Sequence, residues 1–167
     1  MTMWKVKNDG YRKVKEVYIF ELINATIEFS KNGKYLLFMM TDSKTHIVYD
    51  AMTMERVSKF EMKCKDALGN EISYFYGSLL SYDGSYIIAG DSAFRYIFDI
   101  YGKFIRGCDS KNIYTIYPFS NTEFAGIKNV DESYLKTNLI TIDFMTDKET
   151  VLFEFSSYIS TIYFNDD

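Results

Sequence analysis

Apolar residues in this chain recur at nearly every second position in short runs, and Gly, Asn, Asp and Ser separate the runs. Alternation of this kind is typical of half-buried strands, and no stretch shows the spacing of a convincing amphipathic helix. The pattern predicts fifteen strands, at residues 3–7, 13–20, 23–30, 35–40, 45–50, 55–61, 72–80, 85–90, 94–99, 103–108, 113–119, 123–128, 138–143, 149–155 and 158–164.

The strands repeat in a fixed order, which shows when their turns are aligned. Apolar anchor residues precede the same kind of turn at Phe29, Leu80, Phe119 and Phe164, and they are spaced 51, 39 and 45 residues apart. The turns after the first two anchors contain Asn32-Gly33 and Asp83-Gly84. These dipeptides predict two-residue hairpins in which both central residues have a positive φ.

A second landmark follows each of the first three anchors. It is an apolar or aromatic residue followed by an aspartate, as in Tyr49-Asp50, Phe98-Asp99 and Ile142-Asp143. Because the aspartates recur at equivalent strand ends, we expect their carboxylates to cap turns rather than to take part in catalysis. Four strands per unit of about 40–45 residues is the period of a propeller blade.

The Ser30-to-Leu37 hairpin, the recurring aromatic-Asp pairs and the period resemble the WD-repeat β-propellers and their degenerate relatives, over essentially all 167 residues. The resemblance implies an all-β, β-propeller-like array of four-stranded antiparallel blades, with three full blades and partial blades at both termini, in a single domain 1–167. No unit has the family's Gly-His dipeptide, and Tyr, Phe or Ile replaces its Trp. The family's Asp–His–Ser/Thr–Trp network is therefore not expected.

Three ways of closing the propeller remain open. Strands from both termini could complete a fourth blade in a four-bladed ring, or they could pair with a second copy to make an eight-bladed ring of two chains. The chain could also be a fragment. We slightly favour pairing between two chains, because open blade edges invite aggregation.

Composition narrows the class of protein. The chain is 47% hydrophobic and 18% aromatic with a net charge of −4, which favours a folded sheet protein and not a nucleic-acid binder. The longest apolar run has six residues, and no secretory signal is visible, so we expect a cytoplasmic protein that does not span a membrane.

Few residues offer chemistry. His46 is the only histidine, and we expect it to lie at the surface or at a strand end. Cys64 and Cys108 have no Cys-x-x-Cys spacing and no histidine partner, so we expect free thiols rather than a metal site. The sequence therefore predicts no catalytic, cofactor-binding or metal-binding residue, and no enzyme activity.

Unequal spacing between repeats indicates a binding surface. The distance from the aspartate to the next anchor is 20 residues from Asp99 and 21 from Asp143 but 30 from Asp50, which places an insertion at 62–71. The distance from the anchor to the aspartate is 21 and 19 residues in the first two units but 24 in the third, which places a second insertion at 129–137. Both should emerge on one face, as the binding loops of repeat proteins often do. The candidate partner-binding residues are Asp42, Lys44, His46, Lys63, Lys65, Asp66, Asp131, Glu132, Tyr134 and Lys136.

The first hypothesis is thus a non-catalytic protein-interaction module that binds a protein partner through this face. The small size and negative charge also fit an acidic inhibitor, either toxin-neutralising or phage-encoded. A fragment of a ligand-binding propeller is a third hypothesis, although it predicts polar innermost strands and these strands are mostly apolar.

Overall fold

The computed structural model describes residues 2–7, 10–16, 25–42, 44–66, 68–72, 74–90, 94–110, 112–130 and 136–159, with only the backbone for the first two ranges. Within these ranges the chain forms fourteen strands and no helix. The strands are β1 Thr2–Lys7, β2 Gly10–Glu16, β3 Thr26–Phe29, β4 Tyr35–Met39, β5 Thr45–Asp50, β6 Arg56–Glu61, β7 Gly77–Leu80, β8 Tyr86–Gly90, β9 Phe94–Asp99, β10 Phe104–Asp109, β11 Ile113–Pro118, β12 Glu123–Asn129, β13 Thr137–Asp143 and β14 Lys148–Phe155.

The strands assemble in chain order into four antiparallel sheets. One has two strands, β1 and β2, and three have four strands: β3–β6 (the first blade), β7–β10 (the second blade) and β11–β14 (the third blade). The predicted array of four-stranded blades is confirmed. None of the described sheets closes on itself. The predicted strand at 158–164 lies mostly outside the described residues, and the one at 72–80 begins only at Gly77.

Successive hairpins place the connections at two opposite ends of the blades. One end, called the loop face here, carries the connections β4–β5, β6–β7, β8–β9, β10–β11 and β12–β13. The other end, called the turn face, carries the short turns that follow β3, β5, β7, β9, β11 and β13. Both predicted insertions join strand ends at the loop face.

The blades are held together by side chains that alternate between two cores. In the second blade, Ile87 and Phe98 pack with Leu37 and Val48 of the first blade, whereas Ile88 packs into a separate core with the third blade. Neighbouring residues on one strand point to opposite sides of the sheet. The second blade is therefore apolar on both faces and is buried on both.

The turns after Phe29 and Leu80 differ from the prediction. Gly33 and Gly84 have positive φ values of 70° and 77°, but Asn32 and Asp83 do not. The Gly33 amide donates to the Ser30 carbonyl at 2.9 Å, and the equivalent Gly84 bond measures 3.0 Å. The predicted two-residue hairpin is wrong: each turn is wider, with glycine alone in the left-handed conformation.

The role predicted for the repeated aspartates is confirmed. One carboxylate oxygen of Asp50 accepts bonds from the amides of Met52 (2.9 Å) and Thr53 (2.8 Å). Asp99 and Asp143 accept two amides each in the same way. These carboxylates satisfy backbone donors that the tight turns would otherwise leave without partners.

The outer strand of a blade also bonds to the next blade's aspartate turn. Ser58 on β6 donates to the carbonyl of Ile100 at 2.6 Å. On β10, Arg106 donates to the Met145 carbonyl and pairs with Asp147. The same contact thus recurs at two blade interfaces with different donor side chains.

Alanine substitutions at two glycines can separate the energetic cost of a contact between blades from the cost of left-handed backbone strain in the turn. A Cβ on Gly84 would lie 2.5 Å from the Tyr35 ring of the first blade, whereas a Cβ on Gly33 would meet nothing within 4 Å. We expect Gly33→Ala to cost about 1 kcal/mol from left-handed strain alone. Gly84→Ala should cost roughly 2 kcal/mol more because the ring must move. Urea unfolding of both variants measures the difference, and equal costs would show that the Tyr35 contact does not hold these blades together.

Candidate partner-binding face

The insertion between the first two blades folds back on itself at the loop face. The amide of Ile72 donates to the Cys64 carbonyl at 3.0 Å, and Lys65 pairs with Glu71 across an isolated antiparallel bridge. At its tip, one oxygen of Asp66 accepts the amides of Leu68 and Asn70, each at 2.8 Å. The described part of the insertion is therefore a braced hairpin.

A pocket of about 290 Å³ opens between this hairpin and the first blade. It is lined by Lys44, Glu61, Met62, Lys63, Cys64, Lys65, Glu71 and Ile72, and we call it the lysine pocket. Met62 and Cys64 are buried and form an apolar floor with Ile72, while the charged side chains surround the opening. Lys63 lies 3.8 Å from Glu61, and both side chains are well exposed.

The structure brings together three of the predicted residues, Lys44, Lys63 and Lys65, in this pocket. Asp42 lies in the preceding turn and accepts the amides of Lys44 (2.9 Å) and Thr45 (2.7 Å). Partial burial acts to raise the pKa of Asp42, but these bonds and the Thr45 hydroxyl outweigh it, so the pKa lies below its ordinary value. The carboxylate fixes the turn that presents Lys44.

The structure says less about the other predicted partner-binding residues. The Asn70 amide and nearby backbone donors hold the pKa of Asp66 below its ordinary value, in agreement with its role as the cap of the hairpin tip. Lys136 is exposed beside β13. Asp131, Glu132 and Tyr134 lie outside the described residues. That these residues bind a partner stays a prediction.

His46 lies at the start of β5, in agreement with the strand-end alternative of the prediction, but the surface alternative is wrong. Its side chain has 0% exposure, and its ring is stacked on Phe60 with a centroid separation of 5.9 Å and planes 10° apart. Nδ1 lies 2.8 Å from the carbonyl of Lys44, which can only accept, so Nδ1 carries the proton. Nε2 then accepts a bond of 2.8 Å from the hydroxyl of Ser78 in the second blade. His46 thus bonds two blades and cannot form a rim contact.

In this pair the serine hydroxyl donates a hydrogen bond to the imidazole, as a catalytic serine does to its general base. Ser78 is 8% exposed and His46 is fully buried, so neither atom of the pair is presented to a substrate. Burial also lowers the pKa of His46, because the charged imidazolium is poorly solvated there. The Lys44 carbonyl and Asp42 oppose the shift only in part. The geometry is structural.

A cluster of exposed aromatic residues at the loop face was missed by the sequence reasoning. Tyr74 and Tyr76 are 52% and 73% exposed, and their rings meet edge to face at 5.2 Å. Phe75 between them is fully buried. Tyr76 and Arg95 both line a cavity of about 200 Å³. We call Tyr74, Tyr76 and Arg95 the tyrosine patch.

Two features explain how the tyrosine patch is positioned. The Tyr76 amide donates to the Gly90 carbonyl at 2.9 Å, which ties the residue before β7 to the last residue of β8. A Cβ on Gly90 would lie 2.5 Å from Cδ of Arg95, so only glycine leaves room for that side chain. The alternation of Tyr74 and Tyr76 with Phe75 is visible in the sequence, but it predicts a strand at 72–80 and not a pair of exposed tyrosines.

A separate groove of about 690 Å³ runs along the innermost strands β3, β7 and β11. Its lining is largely apolar and includes Ile27, Leu79 and Ile116, as the sequence predicts for these strands. Lys31 lies over the ring of Tyr117 at 4.0 Å from its centroid. Of the predicted partner-binding residues that the structure describes, none lines this groove.

The described residues offer little for metal or redox chemistry. No group of three His, Cys, Asp or Glu side chains among them is arranged to hold a metal ion. Cys64 and Cys108, both in the described part of the chain, are buried and form no disulfide. Those same residues include no helix with the length and apolar character needed to cross a membrane.

The fold has parallels among solved structures. A member of the DUF4221 family from Bacteroides vulgatus aligns with 78% of this chain at a TM-score of 0.52 and 16% identity. The WD40 domain of SCAP from fission yeast aligns with 83% of this chain at a TM-score of 0.47 and 14% identity. A protein from Bacteroides uniformis that is assigned as a 6-phosphogluconolactonase aligns with 94% of this chain at a TM-score of 0.49 and 15% identity. The three four-stranded antiparallel blades give the chain a β-propeller-like fold.

This likeness concerns the fold alone, since every identity is below one in five. The chain spans 43%, 35% and 48% of the lengths of those three structures, respectively. No protein-family model and no curated protein matches the sequence.

His46 makes the stability of the fold depend on pH. Its pKa is lowered in the folded state, so between the folded and unfolded pKa values the unfolded chain binds more protons. The native state should be most stable above the ordinary imidazole pKa of about 6.5 and should lose stability as the pH falls below it. Urea midpoints between pH 8 and pH 5 measure this loss.

The control is His46→Gln, which removes the only histidine but keeps a polar group that can reach Ser78. Its midpoint should be lower at pH 8 and should vary less than that of the wild type between pH 7 and pH 5. An equal pH dependence in both proteins would show that the buried imidazole is not its origin.

Proposed function

We propose that the chain is a non-catalytic interaction module whose loop face binds a protein partner. The observation that carries the proposal is the exposed tyrosine patch beside the lysine pocket, joined by the chain from Ile72 to Tyr74. Tyrosine and arginine are enriched among the residues that dominate binding energy at protein interfaces. Two neighbouring tyrosines that are more than half exposed leave a large apolar area available for a partner to cover.

Rigidity supports this assignment. The insertion is braced by the Lys65–Glu71 bridge and by the Asp66 cap, and Tyr76 is fixed to the edge of the second blade. A surface that is ordered before binding loses less conformational entropy when the complex forms. The loop face therefore combines exposed aromatic anchors with a defined backbone.

The absence of a catalytic role is part of the proposal. The one hydroxyl–imidazole pair, Ser78 with His46, is buried between blades. An acidic inhibitor remains the second candidate, favoured by the net charge of −4. Such a protein would use an acidic surface and a basic partner, whereas the lysine pocket is lined by three lysines and two glutamates, and Arg95 belongs to the tyrosine patch.

The predicted homodimer through the terminal strands stays a prediction, because residues 160–167 lie outside the described part of the chain. A cytoplasmic location is proposed on the composition. Neither proposal bears on the loop face directly.

A photo-crosslinking experiment tests the interaction module. A photoreactive phenylalanine analogue is placed at Tyr76, and at Tyr101 as the control, since Tyr101 is equally exposed but lies on the turn face. Crosslinking in cells of the source organism should give a discrete product from position 76 and none from position 101. Identical products from both positions would contradict a partner bound at the loop face.

The identified partner is then titrated against purified variants. Tyr74→Ala with Tyr76→Ala should weaken binding by about tenfold or more, because exposed aromatic anchors carry much of the interface energy. Tyr101→Ala should change the affinity less than about twofold, as is usual outside an interface. Isothermal titration calorimetry gives both values, and unchanged binding by the double variant would overturn the proposal.

A further inference from the structure

We propose that Asn32 is a site of spontaneous deamidation that the native fold suppresses, and that deamidation there breaks a contact between the first and second blades. Asn32-Gly33 is the only Asn-Gly dipeptide in the chain. In this dipeptide the glycine amide nitrogen loses its proton, bonds to the side-chain carbonyl carbon of the asparagine and expels ammonia. Water then opens the cyclic imide to an aspartate or an isoaspartate, so that a carboxylate replaces the amide. Glycine favours the ring closure because it has no side chain to hinder the attack.

The native turn holds both reacting groups in other hydrogen bonds. The Gly33 amide donates its proton to the Ser30 carbonyl at 2.9 Å. The side-chain oxygen of Asn32 accepts the Ser30 hydroxyl at 2.8 Å and the Lys34 amide at 3.0 Å. Nδ2 of Asn32, the nitrogen that would leave as ammonia, donates to the Asp83 carbonyl at 3.1 Å. Because ring closure has to break these bonds, we expect it to proceed from molecules in which the turn has opened.

The equivalent turn of the second blade separates two roles of the Asn32 side chain. Asp83 stands at the matching position. Its carboxylate accepts the Ser81 hydroxyl at 3.0 Å and the Ser85 amide at 2.9 Å, as the side-chain oxygen of Asn32 does in the first blade. A carboxylate therefore closes such a turn as well as an amide does. The carboxylate lacks the Nδ2 donor, which in Asn32 reaches the second blade.

Deamidation should therefore act on the blade contact more than on the turn itself. The new carboxylate oxygen cannot donate to the Asp83 carbonyl and would face it as a second acceptor, so the bond is lost. Two other contacts of the same interface lie close by. The backbone amide of Asn32 donates to the Tyr82 carbonyl at 3.2 Å, and Gly84 lies against the ring of Tyr35. An isoaspartate would also lengthen the main chain of the turn by one methylene group.

Peptide mapping by mass spectrometry tests whether the fold protects Asn32. The full chain is kept at pH 8, both folded and in urea above its unfolding midpoint, and the mass gain at Asn32 is followed over days. A synthetic peptide of residues 28–37 in the same two solutions shows the effect of urea itself. We expect the folded protein to react at least about tenfold more slowly than the unfolded protein, because opening of the turn precedes the reaction. Equal rates, or no reaction of the unfolded protein at Asn32, would overturn the inference.

Matched substitutions test the consequence for the blades. Asn32→Asp reproduces one product of the reaction, and Asn121→Asp makes the same charge change at an exposed position in the corresponding turn of the third blade. Urea unfolding should show a folding equilibrium constant about three- to tenfold lower for Asn32→Asp, as is usual for one lost hydrogen bond. Asn121→Asp should be nearly unchanged. Equal losses in both variants, or none in Asn32→Asp, would show that the Asn32 amide does not join the two blades.

Discussion

Each blade has two apolar faces, and this constraint governs the whole structure. In the first blade, Leu37 and Val48 pack toward the second blade, whereas Leu36 and Phe38 belong to a separate core on the other side. A sheet of this kind exposes an apolar face to water on any side where no neighbouring blade covers it. A single blade would therefore be unstable in water. The stability of each blade therefore depends on the neighbouring blade that covers its apolar face.

The constraint explains why polar contacts occur where they do. The apolar cores give no direction to the packing of one blade on the next, since hydrophobic burial is not directional. Ser58, Arg106 and the His46–Ser78 pair supply directional bonds at the two blade interfaces. Buried polar pairs of this kind fix the relative position of packed elements when every polar atom has a partner. The only histidine of the chain takes part in one of these contacts.

Much of the fold could be predicted because its strands and turns follow from residue patterns within short stretches of the sequence. The alternation of apolar residues located nearly all the strands, and Asp50 and its equivalents mark turns through bonds to amides two to four residues away. The burial of His46 could not be predicted, since its partner Ser78 is 32 residues further along the chain in another blade. The wider turn at Gly33 was missed because the Ser30 hydroxyl also accepts the Tyr35 amide, at 2.9 Å, in place of a carbonyl of the usual ladder.

The loop face shows where pattern and structure diverge for a physical reason. Lys63 and Lys65 alternate with buried Met62 and Cys64, and all four line the pocket and lie in the insertion that the repeat spacing predicts at 62–71. Tyr74 and Tyr76 also alternate with a buried residue, but they follow the insertion and precede β7, so no neighbouring strand covers them. An aromatic residue on a central strand is buried by the next blade, whereas the same residue one step beyond the sheet remains in solvent. The stability of the propeller resides in the sheets, and the residues just past their ends are the ones left available for binding.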